Sequence, residues 1–341
     1  MELHNLLIRI FSLLLVVAVC GPVGALSAQD TPLLVDPYEI QEFVNREHTS
    51  DLAGLWQLLA IPAELATLRW GDEESLAVPR SFTECRNCVA ELKQLDPHDQ
   101  SAAGVILKIY QPWGFCRFLL FSPAGPVEPG RKPQWRLLGY ADHDYARYQM
   151  PEYRIARLGE QAYFVMTAQV MSGSGISLEY ERWYAINPTG VREVLSIPVR
   201  GHECADALSL CRSFATEVIG ATTDGSLVEV VFRVEYSGNY FLLDGRSFVD
   251  LPLFGKEQRV FYARTEPAGE FTPVDRGTKM NQDEIRLVYG IGELTCSDFL
   301  RFNSAELARL NAGDDAVIKT WLTRYLADCR QSADGMGREL P

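Results

Sequence analysis

Apolar and polar positions along this chain follow three successive patterns. Between residues 36 and 70, apolar residues recur at intervals of three or four, which is the spacing of an amphipathic helix. From Ser101 they alternate with polar residues, as expected of strands with one buried face. Helical spacing returns from Met280. We therefore predict an α+β fold dominated by an antiparallel β-meander, with helical segments at the N- and C-terminal ends.

Short alternating runs divided by turn residues mark the strands of the predicted meander. Strands joined by turns such as Asp224-Gly225 must run antiparallel, because a parallel return needs a dozen or more connecting residues. The pattern is compatible with a curved sheet, a barrel-like sheet or a degenerate propeller. The predicted strands are Gly104–Tyr110, Phe115–Phe121, Gln134–Tyr140, Tyr153–Leu158, Gln161–Val170, Ser177–Ile186, Val191–Ile197, Ala215–Ala221, Leu227–Tyr236 and Arg259–Arg264.

Capping residues indicate where the C-terminal helices begin. Ser304 is the predicted cap of a helix over residues 305–310, and Asp314 or Asp315 that of a helix over residues 316–329. The second of these helices has one apolar face, so we expect it to dock on another element. That face consists of Val317, Trp321, Tyr325 and Leu326.

Changes between these patterns predict how the chain is organised. We expect a signal peptide over residues 1–28 and an N-terminal helical and loop region over residues 29–100. The β-meander is expected over residues 101–279, followed by a C-terminal helical region over residues 280–330 that packs on the sheet. Residues 331–341 are expected to form a flexible tail.

The first residues show the three zones of a secretory signal peptide. Arg9 ends a short n-region, and the apolar run over residues 10–19 is too short for a membrane helix, which takes ~20 residues. Small residues follow, and Ala28 is the favoured cleavage site. Cys20 offers the alternative of a bacterial lipid anchor, although Val19 is larger than the Gly or Ala usual before such a cysteine. We expect an exported protein, periplasmic or extracellular, that is soluble rather than anchored.

The acidic character of the chain limits the classes of partner that we expect it to bind. Its formal net charge is −13, and no basic stripe is present to neutralise phosphates, so we expect no nucleic acid binding. No later stretch approaches the ~18 apolar residues of a membrane helix, so none is expected in the mature chain. The missing N-x-S/T acceptor site agrees with a bacterial source. The expected partner is an unknown protein or small-molecule ligand.

Cysteines are numerous enough to form a disulfide framework. The chain has eight, and cleavage of a leader that contains Cys20 leaves seven, so one thiol should be free or intermolecular. In an oxidising compartment most of the others should pair. The spacing favours Cys204 with Cys211 and Cys296 with Cys329, while Cys85 or Cys88 pairs either with Cys116 or with the other of the two.

Cys85 and Cys88 form a CxxC pattern. Two cysteines at a helix N-terminus can carry out thiol–disulfide exchange, and a short helix is predicted over residues 89–95. A thioredoxin-type site, however, follows a strand in a βαβ unit, which is missing here, and no second CxxC completes a zinc site. We favour a structural disulfide and keep a thiol oxidoreductase as an alternative function.

Asp142, His143 and Asp144 form the densest cluster of titratable residues. They could serve a hydrolase or a metal-assisted enzyme, but alternation in a strand would place His143 on the face opposite the two aspartates. We therefore favour a solvated loop and keep the enzyme as an alternative.

The run His202–Cys204 also offers residue types that bind metal ions, but adjacent residues seldom bind one ion. Because the histidine spacings of zinc motifs are missing, we expect no metal and no cofactor.

The run Ser172, Gly173, Ser174 and Gly175 is the main candidate for a binding loop. It lacks the spacing of a nucleophile elbow and that of a phosphate-binding loop. It fits a turn between two predicted strands, and loops held by a rigid sheet are where binding residues concentrate.

Aromatic residues of one predicted strand suggest a second binding surface. Tyr180, Trp183 and Tyr184 could stack on a sugar or peptide, although aromatic residues in strands more often belong to the core. Because every catalytic pattern is incomplete, we favour a non-enzymatic binding or structural module that acts through loops of its antiparallel sheet.

Overall fold

The computed structural model describes the parts of the chain that form most of the predicted elements. The described residues are 34–46, 53–59, 67–68, 80–81, 88–94, 104–110, 115–125, 134–144, 151–159, 161–173, 176–187, 190–205, 210–241, 248–264, 266, 269–274 and 295–335. The predicted leader, Cys20 and Cys85 lie outside these residues. No helix within these ranges combines the length and the apolar character needed to cross a membrane.

Strands account for most of the described residues. In chain order they are β1 (Leu34–Val35), β2 (Thr67–Leu68), β3 (Arg80–Ser81), β4 (Val89–Gln94), β5 (Val105–Tyr110), β6 (Phe115–Pro123), β7 (Trp135–Asp144), β8 (Glu152–Leu158), β9 (Gln161–Gly173), β10 (Ile176–Asn187), β11 (Gly190–Ala205), β12 (Leu210–Ala221), β13 (Leu227–Phe241), β14 (Phe248–Ala263) and β15 (Thr272–Val274).

Two larger sheets and one small sheet contain these strands. The first has the order β1-β7-β6-β5-β4, and the second has the order β15-β14-β13-β12-β11-β10-β9-β8. Strands β2 and β3 pair only with each other. From β4 to β15 each strand of these two sheets lies beside its neighbours in sequence, except at the step from β7 to β8. The predicted α+β fold with an antiparallel meander is confirmed.

Helices occupy both ends of the described chain. They are α1 (Pro37–Arg46), α2 (Ala53–Leu59), α3 (Cys296–Phe302), α4 (Ser304–Ala312) and α5 (Ala316–Gly335). The carboxylate of Asp315 accepts hydrogen bonds from the backbone N–H groups of Val317 and Ile318, so it caps α5 as one of the two predicted residues. A disulfide between Cys296 and Cys329 joins α3 to α5.

The chain divides into two compact units, and each has its own core. The N-terminal unit comprises the described residues up to Val170 together with residues 182–196, and the C-terminal unit comprises residues 171–181 and those from 197 onward. In the N-terminal unit, α1 and α2 cover one face of the five-stranded sheet. Ile40 and Leu55 of these helices are fully buried in one apolar cluster with Leu119 of β6.

Aromatic residues cover the other face of the five-stranded sheet. The ring of Phe118 in β6 lies 5.4 Å from that of Tyr153 and 5.3 Å from that of Phe164. Phe164 in turn lies 6.0 Å from Tyr184. Strand β6 is therefore buried on both faces, which explains its nearly continuous apolar sequence, FCRFLLF.

In the C-terminal unit, one face of β12, β13 and β14 carries exposed charges. Arg233 donates to Glu217 at 3.2 Å and to Glu257 at 3.1 Å, and Arg259 donates to Glu229 at 3.0 Å. Exposed pairs of this kind contribute about 0–1 kcal/mol each to stability. They keep this face of the sheet polar.

The opposite face of the same strands carries the C-terminal helices. Phe299 of α3 lies 5.2 Å from Tyr236 of β13 and 5.3 Å from Tyr325 of α5, which stacks on Trp321 at 5.1 Å. Gly238 allows the indole to approach the strand, because a Cβ there would lie 2.6 Å from Trp321. Lys256 of β14 also donates to the carbonyl of Phe302 at 2.6 Å, at the C-terminal end of α3.

Some details of the helices differ from the predictions. Residues 89–95 were predicted as a helix, but Val89–Gln94 is strand β4, because pairing with β5 outweighs the helix propensity of its Ala, Glu, Leu, Lys and Gln. Asn303 precedes α4 in place of the predicted cap Ser304, since the chain passes directly from α3 into α4. Val317 is 48% exposed and Leu322 is buried, because the buried stripe of α5 follows Trp321 and Tyr325. Helix α5 also continues to Gly335, past the start of the predicted tail.

Candidate functional site

The acidic and histidine residues at 142–144 do not converge. All three belong to strand β7 and not to the solvated loop that we favoured, because the register of β7 with β6 continues to the pair of Asp144 and Phe115. Asp142 and His143 consequently point to opposite faces of the sheet. The side chain of Asp144 lies outside what the structure describes.

Asp142 forms an ion pair with Arg117, its cross-strand neighbour in β6. Arg117 Nε and Nη2 donate to the two carboxylate oxygens at 2.6 Å each, and only 2% of the Arg117 side chain is exposed. The guanidinium also lies 4.5 Å from the centre of the Tyr140 ring. A bidentate pair of this kind is strong and geometrically fixed, so the carboxylate is committed to holding a buried charge.

His143 lies buried on the other face, with 3% of its side chain exposed. Its Nε2–H donates to the carbonyl of Gln169 at 3.3 Å. Burial, together with the nearby charge of Arg182, lowers the pKa of His143 to about 3. The imidazole is therefore neutral at neutral pH and cannot act as a general acid there.

Cys116 is the cross-strand neighbour of His143 and a free, fully buried thiol. Burial raises the pKa of Cys116 to about 12. A nucleophilic cysteine needs a thiolate, usually stabilised by an imidazolium, whereas both members of this pair are neutral at neutral pH. The pair lacks the charge state of a catalytic dyad and behaves as part of the core.

The second half of the CxxC pattern precedes a strand. Cys88 is fully buried and disulfide-bonded, and β4 begins at the next residue. The helix N-terminus that would stabilise a thiolate is therefore missing at Cys88. Cys85 lies outside the described residues.

The proposed binding loop lies between two adjacent strands. Ser172 and Gly173 end β9, and Ile176 begins β10. Ser174 and Gly175 lie outside the described residues. The two strands are neighbours in the eight-stranded sheet, so the run connects a β-hairpin.

The aromatic binding surface is not supported. Trp183 and Tyr184 are each only 2% exposed, so neither ring offers a stacking face to a ligand. Trp183 packs against Tyr163, with ring centres 5.8 Å apart, and Arg154 lies over it at 5.2 Å. These rings belong to the core of the N-terminal unit.

A group of metal-ligand types lies on the hairpin of β11 and β12. Two of its members, His202 and Cys204, were noted in the sequence and rejected as near neighbours, and the third, Cys211, was missed. His202, Cys204 and Cys211 place one ligand atom each within 4.8 Å of the others. His202 and Cys204 share a face of β11 because they are two residues apart, and Cys204 is paired with Cys211 across the hairpin. The spacing H-x-C, together with a cysteine on the next strand, is the signal that could have identified the group.

The two cysteines of this group form a disulfide. Nε2 of His202 lies 3.2 Å from Sγ of Cys204, and Nδ1 lies 2.9 Å from Oγ of Ser213. Glu203 points to the opposite face, where its carboxylate accepts from Nε of Arg212 at 2.7 Å.

Comparisons of the chain with protein-family models, with curated proteins and with solved structures found no match.

Proposed function

We propose that this chain is an exported bacterial protein that acts as a non-enzymatic binding or structural module, in the periplasm or outside the cell. The observation that carries the proposal is the division of the 142–144 segment between two faces. The carboxylate of Asp142 is held by Arg117, and His143 is buried and neutral. Both residues therefore serve the sheet, and neither of these two side chains is available as an acid or a base towards a substrate.

The disulfides support the exported location. Cys204–Cys211 and Cys296–Cys329 are bonded, and so is Cys88. Such bonds persist in oxidising compartments and are rare in the reducing cytoplasm. We propose that the leader is cleaved and that the mature chain is soluble, with an anchor at Cys20 as the alternative.

The hairpin connection at residues 172–175 is the proposed contact with the partner. It joins two adjacent strands of the larger sheet, and loops held by a rigid sheet are where binding residues concentrate. The net charge of −13 favours a protein or small molecule over a nucleic acid.

Photo-crosslinking tests this contact. A photoreactive amino acid replaces Ser172 in one variant and Glu257 in a control variant, and both are irradiated in periplasmic extract. Glu257 lies on the exposed, charged face of the C-terminal unit. We expect a discrete cross-linked product from position 172 alone. No product, or the same products from both positions, would contradict a binding role for this hairpin.

Metal analysis of the purified mature protein tests the non-enzymatic part of the proposal. We expect no zinc, manganese or calcium at stoichiometric level in the oxidised protein, and no change in His143→Gln. One equivalent of metal that is lost in His143→Gln would instead favour the metal-assisted enzyme. The disulfide-bonded state is used so that Cys204 and Cys211 cannot contribute thiolates.

A further inference from the structure

The exposed face of the β11–β12 hairpin brings together ligand types that zinc prefers. Two cysteine sulfurs and one imidazole nitrogen make a Cys₂His set, which occurs in zinc sites that keep a fourth position open for water. His202 is exposed and Cys204 is partly exposed, so an ion can reach the set from solvent. Cys211 is buried and lies directly across from Cys204.

The orientation of His202 matches that of a metal ligand. In the disulfide-bonded structure Nε2–H donates to Cys204 Sγ at 3.2 Å, and Nδ1 accepts from Ser213 Oγ at 2.9 Å. In the other tautomer, protonated at Nδ1, the same ring orientation has Nδ1–H donating to Ser213 Oγ and the Nε2 lone pair facing Cys204. Histidine ligands are held in this way, with one ring nitrogen on the metal and the other on a second polar group. Ser213 would therefore position the ligand without touching the ion.

One of the three distances between ligand atoms is already close to that of a tetrahedral zinc site. Zinc binds sulfur at about 2.3 Å and imidazole nitrogen at about 2.0–2.1 Å, which separates the nitrogen from each sulfur by about 3.5 Å and the sulfurs by about 3.8 Å. Nε2 of His202 already lies 3.2 Å from the Cys204 sulfur. The two sulfurs have to move apart, which reduction of their bond permits, and Nε2 of His202, now within 4.8 Å of the Cys211 sulfur, has to come to about 3.5 Å from it.

We infer that the reduced β11–β12 hairpin binds one zinc ion through His202, Cys204 and Cys211, with water as the fourth ligand. A dithiol reductant transfers two electrons and two protons to the disulfide, breaking its S–S bond and becoming a disulfide itself. Zn²⁺ then displaces the two thiol protons and binds both thiolates. Disulfide formation and metal binding exclude each other, so the redox state of the hairpin controls the site.

Cobalt titration of the full mature chain tests this inference, with Co²⁺ as a spectroscopic probe for the zinc position. The protein is reduced with a water-soluble phosphine, which leaves no competing thiol. We expect one equivalent of tetrahedral Co²⁺ with a thiolate-to-cobalt charge-transfer band that Zn²⁺ abolishes, and no such band in the oxidised protein. The reduced double variant Cys204→Ser/Cys211→Ser measures how much Co²⁺ the other cysteines bind. It should lack this equivalent of Co²⁺. Equal spectra from the wild type and this variant would overturn the inference.

Two variants keep both cysteines and so do not depend on the background variant folding. His202→Gln removes a ligand, and Ser213→Ala removes the group that positions it. We expect at least a tenfold weaker Co²⁺ affinity in His202→Gln and about a tenfold weaker affinity in Ser213→Ala. Wild-type affinity in His202→Gln would overturn the assignment of the nitrogen ligand, and with it the site.

Discussion

His143 should make the folded state sensitive to acid. Its imidazole is buried, and burial lowers its pKa from the ordinary value of 6.5 to about 3. Protons therefore bind the unfolded chain more readily than the folded chain between these two values. The contribution of the neutral imidazole to stability is complete above pH 6.5 and is lost as the pH falls towards 3. Replacing His143 with Gln removes this titration and retains an N–H donor for Gln169.

The size of the effect follows from the two pKa values. Each pH unit below 6.5 costs the folded state about 1.4 kcal/mol until the folded pKa is reached. At pH 5 the loss relative to pH 8 is therefore about 2 kcal/mol. This figure depends little on the folded pKa, provided that it lies well below 5.

Urea unfolding at pH 8, 6.5 and 5, followed by tryptophan fluorescence, measures the difference. We expect the wild type to lose about 2 kcal/mol more than His143→Gln between pH 8 and pH 5. Cys116→Ala is the matched control, because it alters the cross-strand neighbour of His143 and its thiol, with a pKa of about 12, does not titrate in this range. It should keep the pH dependence of the wild type. Equal pH dependence in the wild type and His143→Gln would refute the buried, neutral imidazole.

Three further predictions concern packing, reactivity and capping. Gly238→Ala should lower the free energy of unfolding in urea by about 1–3 kcal/mol, because its Cβ would overlap the Trp321 indole. Gly220→Ala is the control, since a Cβ at this position would have nothing within 4 Å. An equal loss of stability in both variants would contradict the packing of Trp321 on Gly238. Cys116 should react with an aromatic disulfide reagent only after unfolding, since it is buried and protonated; rapid labelling of the native protein would show that it is accessible. Asp315→Ala should lower the stability of the fold by about 1 kcal/mol in thermal unfolding, because two backbone N–H groups at the start of α5 lose their acceptor. An unchanged melting temperature would contradict the capping role of Asp315.

The sequence predicts the meander well because most of its strands pair with the strands next to them in the sequence. Alternation in runs such as residues 227–236, with short turns between them, determines both the strands and their antiparallel pairing. Strand β4 was not predicted, because its residues favour a helix and only the pairing with β5 makes them a strand.

The candidate sites depend on cross-strand register, which the sequence does not specify. In a strand, alternation places His143 on the face opposite Asp142, and the structure has this arrangement in β7 and not the loop that we favoured. That Arg117 is the partner of Asp142 requires the register of β6 with β7, across 25 residues of sequence. The grouping of His202 with Cys211 likewise requires the pairing of β11 with β12.

We expect Asp142 and His143 to support the sheet rather than to form a catalytic site. The free energy of unfolding of Asp142→Asn tests this expectation most directly, since Arg117 would keep a buried charge without its carboxylate. We expect a loss of about 2–3 kcal/mol, which is what hydrogen bonds to charged groups contribute to stability. Glu257→Gln, which weakens an exposed pair with Arg233, should change stability by less than about 1 kcal/mol. A neutral or stabilising effect of Asp142→Asn, as expected when a strained active-site residue is removed, would contradict this structural role of Asp142.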